Sequence, residues 1–250
     1  MTVRTTSTDS LPAPDGAARA ALAATENLRF GEVVAGLGAD DWSRPTDCPV
    51  WDVRALVAHV LGMMEGFSSL RIWVHQMRAA KKAAGDGPMI DGLTAVQVAE
   101  RRHLGPEQLT ARVTMTGPRQ ARARARVPAP LRRMPLKQEV GSATETWRLG
   151  YLLDVVLTRD TWMHRVDIGR ATGREMVLTA DHDGRIVADV VDEWARRHGR
   201  PFSLELGGPA GGRFAQGSGG EELALDAVEF CRTLSGRADG AGLLTQQVPF

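Results

Sequence analysis

Several things are scarce in this chain of 250 residues, and each scarcity excludes a class. Two cysteines, Cys48 and Cys231, are too few for a disulfide scaffold, and they read as free thiols of a reducing cytosol. No run approaches the ~18 apolar residues that cross a bilayer, so an integral membrane protein is not expected. The N-terminal stretch holds no apolar core of a secretory signal, and a cytoplasmic location is the expectation. Neither sign of charge dominates: 31 basic and 30 acidic residues leave a formal charge of +1. That balance argues against a dedicated nucleic-acid or membrane-surface binder. Lysine occurs only at Lys81, Lys82 and Lys137, so 28 of the 31 basic residues are arginine, the mark of a GC-rich genome.

What is present is ordinary globular composition, 43% hydrophobic and 24% charged, in a length that suits one or two domains. Residues 1–15 are rich in Ser, Thr and Pro and read as a flexible arm. A helical pattern runs from Ala17 to about Gly38. After a loop broken by Pro45 and Pro49, a second helix is expected near Trp51, with Asp52 as its N-cap. Its row Val53, Leu56, Val57, Val60, Leu61 and Met64 makes one helical face, and the pattern drifts on to about Lys82. Further helical pieces are expected at Thr94–His103 and Pro106–Arg112.

Residues 108–138 hold eight basic residues and no acidic one. Pro118, Pro128, Pro130 and Pro135 argue against a regular helix there, and the segment reads as a long solvated connection. A basic flap for an anionic substrate, or for RNA, is the competing reading. Trp147 is the one aromatic ring between 108 and 150 besides which bases would have to stack, so nucleic acid is disfavoured as a partner.

The clearest helix is expected over Thr146–Thr172, closed by Gly173. It is apolar on two faces, as at the centre of a bundle. Beyond Arg174 the character changes. Short β-like runs at Met176–Thr179, Phe202–Leu206 and Glu222–Leu225 alternate with helices around Ile186–Trp194 and Asp226–Leu234, and Gly207–Gly220 reads as turns. The expected division is a helical domain over 16–177 and a small α+β domain over 178–250.

One row of the long helix, Leu149, Leu153 and Leu157, continues into Asp160 and then His164. Ionisable groups in an apolar row are costly unless they are paired or bind a metal. The acid-x3-His spacing puts both on one face, within reach of one ion, and carboxylate oxygen and imidazole nitrogen both suit zinc. Chance alone predicts roughly 0.7 such pairs in this composition, so the spacing needs a third ligand to carry weight. His59 is the candidate, because Ala55, Leu56, Gly62 and Met63 surround it on its helix. His75, His103, His182 and His198 stand among charged or loop residues and read as surface histidines. Cys48, eleven residues before His59, is expected ~16 Å from it along the helix axis. Asp167 either orients an imidazole or pairs with Arg165 or Arg170.

Trp51-Asp-Val-Arg-Ala-Leu-Val-Ala-His59, preceded by Cys48-Pro49, resembles the second-helix signature of the mycothiol-dependent maleylpyruvate isomerase family, within the DinB-like metal-binding superfamily. Leu157-Thr-Arg-Asp160-Thr-Trp-Met-His164-Arg-Val-Asp-Ile-Gly-Arg-Ala-Thr-Gly173 resembles its later signature, and Asp226–Arg237 with the ending Val248-Pro-Phe250 resembles its second domain. Residues 85–145 match poorly.

The resemblance implies a mainly α fold: a DinB-like four-helix bundle followed by a small α+β domain. It implies one divalent metal, usually Zn2+, on His59, Asp160 and His164, where Asp160 stands at a position often held by the longer Glu. It also implies that an arginine of the second domain, Arg232 or Arg237, reaches a carboxylate-bearing substrate. The implied activity uses mycothiol as thiol cosubstrate on a small electrophile. It is either cis-trans isomerisation of a maleylpyruvate-like compound or S-transfer. A non-catalytic metal-binding stress or accessory protein on the same bundle is the alternative. The sequence does not fix the oligomeric state.

Overall fold

The structure, a computed structural model, describes residues 5–8, 16–140 and 143–250. The chain forms two compact units. One is Gly16–Glu175, and the other joins the N-terminal segment to Met176–Phe250.

The first unit is built on four helices. Helix α1 (Gly16–Ala35), α2 (Val53–Gly66), α5 (Pro106–Ala125) and α8 (Leu157–Thr172) pack in a ring, α1 on α5 and α8, α2 on α5 and α8. An antiparallel-type pair, α3 (Leu70–Ala84) and α4 (Met89–Arg101), is laid against α2. Helix α2 is therefore the inner one, and eleven of its fourteen residues are buried. Its start is set by Asp52, whose Oδ1 accepts from the Ala55 N–H at 2.8 Å. Phe30, Leu56, Leu61, Met64, Leu109 and Val113 form the centre of the core. A short helix α6 (Ala129–Arg132) and a two-stranded antiparallel ribbon, β2 (Pro135–Val140) with β3 (Ala143–Arg148), lead back to the bundle.

The expected drift of one helix to Lys82 is cut at Phe67–Ser69, where α2 ends and α3 begins. Pro118 does not break its segment: α5 runs through it for twenty residues. Pro118 faces solvent, while Leu109, Val113, Thr116, Gln120 and Ala121 bury the opposite face against α1. Tertiary packing outweighs the lost N–H bond. Arg119, Arg122 and Arg126 point to solvent, whereas Arg124 is buried, donates to Thr158 Oγ1 at 2.8 Å, and has its pKa pushed down to about 10 by burial. The basic stretch is thus helix as far as Ala125, followed by α6 and the start of β2, and not a solvated connection.

The helix expected from Thr146 starts at Leu149, because Thr146–Arg148 pair with Pro135–Lys137 in the ribbon. It begins as a short turn α7 (Leu149–Tyr151), widens into a π-helical turn over Leu152–Val156, and continues as α8. Such a widened turn is common beside functional residues. Gly173, at φ 69°, closes α8 in the left-handed conformation.

In the second unit a four-stranded sheet has the order β1-β5-β4-β6. Strand β1 is Thr5–Ser7, β4 Phe202–Gly207, β5 Gly212–Gln216 and β6 Glu221–Asp226. Strands β4 and β5 are antiparallel, and β4–β6 and β1–β5 are parallel. Helix α9 (Asp183–His198) and helix α10 (Ala227–Leu234) supply Val187, Trp194 and Phe230 to the same buried layer as Phe202 and Leu204. Asp226 caps α10 by accepting from the Val228 and Glu229 N–H groups.

Four expectations fail here. Thr5–Ser7 are not part of a flexible arm but pair with Arg213–Ala215. The rest of that arm lies outside the described residues except for Thr8, whose hydroxyl donates to Gln216. Met176–Thr179 form no ladder among the described residues, while the Gly-rich stretch contains β5, whose single large apolar residue, Phe214, gave too little alternation to read. His182 is not a surface residue but 5% exposed, where the Thr179–Asp183 turn folds inward at the start of α9. Among the described residues, no helix is long and apolar enough to cross a membrane.

Candidate metal centre

Helix α8 presents Asp160, His164 and Asp167 on one face, at spacings of four and three. Helix α2 faces it with His59. The two imidazole rings meet edge to face, with centroids 5.2 Å apart. His164 Nε2 lies 3.3 Å from Asp160 Oδ1. One ligand atom each of His59, Asp160 and His164 falls within 4.8 Å of the others. The three residues that the sequence singled out, 105 positions apart at the extremes, are thus neighbours in the bundle.

The second nitrogen of each imidazole is held by a different partner. His164 Nδ1 donates to Asp167 Oδ2 at 2.9 Å, and Asp167 is fully buried. Arg165 instead binds Glu26 through two nitrogens, at 2.9 and 3.1 Å, and Arg170 binds Asp47 at 3.0 Å. His59 Nδ1 lies 2.8 Å from Gln97 Oε1 on α4. Gln97 was invisible to sequence reasoning, since a glutamine in a helix carries no chemical signal until its neighbour is known.

These surroundings push the two rings apart in pKa. Burial, helped by the neighbouring His164 and Arg101, lowers His59 to about 4 against the pull of Asp160 and Gln97, so its ring is neutral. Burial pushes His164 down too, but the charge and hydrogen bond of Asp160, and the hydrogen bonds of Asp167 and Cys48, outweigh it and raise the pKa well above the usual histidine value.

Two residues of the approach to α2 complete the surroundings. Trp51 stacks on His59 with centroids 4.8 Å apart and stands 6.2 Å from His164. Cys48 is not remote from the cluster. Its Sγ is 3.8 Å from Asp167 Oδ2, and it joins His164 and Asp167 in a group within 4.8 Å. The expected separation assumed a chain that continues the helix axis. Instead the segment doubles back, with Pro45 bridged to Asp52 and the Trp51 N–H bonded to the Cys48 carbonyl at 3.0 Å.

The donor set, two imidazoles and one carboxylate, fits a divalent ion such as zinc, and three protein ligands match the composition of catalytic rather than structural sites. The orienting contacts on the far nitrogens are those that metal-bound histidines require. The two arginines expected near substrate lie in the second unit. Arg232 is 6% exposed, with Nη1 on Glu229 at 2.6 Å and Nη2 3.5 Å from the Arg237 carbonyl. Arg237 is half-buried just beyond α10.

A ring of four helices holding a two-histidine, one-carboxylate cluster defines a bundle protein with a candidate divalent-metal centre. Residues 17–169 match the family described as the mycothiol maleylpyruvate isomerase N-terminal domain, and the chain belongs to that family. Two solved structures share the fold over 98% of this chain and 98% of theirs. One is the crystal structure of the mycothiol-dependent maleylpyruvate isomerase, 19% identical with a TM-score of 0.58. The other is a histidine-to-alanine mutant of that isomerase, 19% identical with a TM-score of 0.57. The comparison with curated proteins gives no match.

Proposed function

We propose that this chain is a metal- and mycothiol-dependent enzyme, acting on a small electrophile as a cis-trans isomerase of maleylpyruvate-like compounds or as an S-transferase. The observation that carries the reading is the convergence of His59, Asp160 and His164 from α2 and α8 in a domain of this family. These three would hold the ion. When bound, a zinc-like ion and the thiol together supply a nucleophilic sulfur at neutral pH, suited to reversible addition to a double bond or to irreversible S-transfer.

The chain's own residues prepare the site. Asp167 and Gln97 orient the two rings through their Nδ1 atoms. The tilted ring of Trp51 packs against that of His59. Arg232, whose guanidinium meets Glu229 and a backbone carbonyl, and Arg237 are the two proposed contacts for a substrate carboxylate.

Metal content of the purified protein, wild type beside His59→Ala, combined with a screen of mycothiol against electrophiles, tests this reading. The expected result is one ion per chain, lost in the variant, and thiol-dependent turnover that follows the metal. Bound metal with neither thiol affinity nor turnover would instead support a non-catalytic metal-binding module. A wild type that takes up no zinc would remove the chemical basis of the proposal.

A further inference from the structure

Behind His59 lies a column of buried polar groups that reaches across three helices. Gln97 on α4 and Gln76 on α3 are 2% and 1% exposed. Gln97 Oε1 faces His59 Nδ1 at 2.8 Å, Gln97 Nε2 faces Gln76 Oε1 at 3.5 Å, and Gln76 Nε2 donates to the Gly62 carbonyl at 2.9 Å.

The column has only one consistent direction. A backbone carbonyl can only accept, so Gln76 must turn its NH2 to Gly62. Its oxygen then faces Gln97, which must answer with its own NH2. That leaves Gln97 Oε1 toward His59, and the histidine must carry its proton on Nδ1. Reversing any member would set two acceptors or two donors against each other in a buried place, where unmade hydrogen bonds are costly.

Helix α2 is shaped to admit this column. A Cβ at Gly62 would stand 2.7 Å from Gln97 Cβ and Cγ, and one at Gly66 would stand 2.6 Å from Gln76 Oε1. Both glycines follow His59 on its own face, at three and seven residues, and each is unfavourable against Ala in a helix interior. Two such costs within one helix mark where the amides pass.

We infer that Gln76 and Gln97 are positioning residues: a directional amide relay, anchored on the Gly62 carbonyl, which presets His59 in the Nδ1–H tautomer and turns its Nε2 lone pair toward Asp160 and His164. The inference rests on the metal reading above, yet its first readout does not require a metal.

Ring 15N chemical shifts of His59 in the metal-free wild type test it directly and need no variant. The expected spectrum is that of a neutral imidazole protonated at Nδ1, and a ring protonated at Nε2 would overturn the relay. Gln97→Leu and Gln76→Leu should then give a tautomer mixture, with zinc affinity by chelator competition lowered 10–100-fold for Gln97→Leu. Gln97→Glu, which keeps an acceptor facing His59 but loses the donor to Gln76, should keep the proton on Nδ1. Leucine variants that fold, keep the tautomer and keep zinc affinity would refute the inference. Tautomer changes as expected in a protein that binds no zinc would uphold the relay and refute the metal reading alone.

Discussion

Removing the carboxylate behind His164 should weaken metal binding without unfolding the bundle. Asp167 is fully buried, and its Oδ2 accepts from His164 Nδ1 at 2.9 Å, so it fixes the ring and raises the basicity of the nitrogen opposite. Loss of such a partner costs typically 10–100-fold in affinity, about 1.4–2.7 kcal/mol. The two obvious variants should fall at opposite ends of that range. Asp167→Asn keeps an oxygen that can accept from Nδ1–H but loses the charge, and about 10-fold is expected. Asp167→Ala leaves a buried ring N–H without its acceptor, so the loss should approach 100-fold, with a further ~1–3 kcal/mol of folding stability gone. In a chain of this length that is a fall in Tm of several degrees, at ~2–4 °C per kcal/mol. Competition with a zinc-binding dye measures the first quantity and thermal melting the second. If both variants bound zinc as the wild type does, the reasoning that Asp167 acts through His164 would be wrong.

Two further predictions concern stability. At Gly92 on α4 a Cβ would overlap the Ala80 carbonyl oxygen and lie 2.7 Å from the Ala84 nitrogen, both backbone atoms of α3. Gly92→Ala should therefore destabilise by about 1–3 kcal/mol despite the better helix propensity of alanine, and a rise in Tm would contradict the close approach of α3 and α4. Asp41 accepts from the Gly38 N–H and pairs with Arg174 and Arg44, and the Gly38 bond first, then the two arginines, hold its carboxyl below the usual range. A depressed folded pKa stabilises above the unfolded value of ~3.9 and stops doing so as pH falls through the folded one. Asp41→Asn should thus lower Tm at pH 7, with the gap from wild type closing in acid. A gap that stayed constant from pH 7 down to pH 3 would sink that assignment.

The residues of the cluster were legible because each broke a local pattern. Asp160 and His164 interrupt an apolar row, His59 sits among small and apolar neighbours, and the capping roles of Asp52, Gly173 and Asp226 follow from side-chain chemistry within a few positions. Capping is written in consecutive residues, and the three caps were read correctly. The family signatures around His59 and His164 are likewise continuous stretches of chain.

What failed depended on partners far away in sequence. Pro118 is carried within α5 because α1 supplies a packing surface for the opposite face. Thr146–Arg148 are strand because Pro135–Lys137 lie beside them, and Thr5–Ser7 are strand because β5 does. Cys48 reaches Asp167 only because Pro45 and Asp52 close a loop. Gln76 and Gln97 become part of the site only where α3 and α4 cross the glycines of α2. The sequence by itself determined the start of α2, the end of α8, the cap of α10 and the identity of the candidate ligands, since these rest on interactions within a few residues. Tertiary structure alone decided that His59 has Gln97 as its second partner, because a hydrogen bond across helices has no period in the chain, whereas Asp167 stands three residues from His164 on one helix.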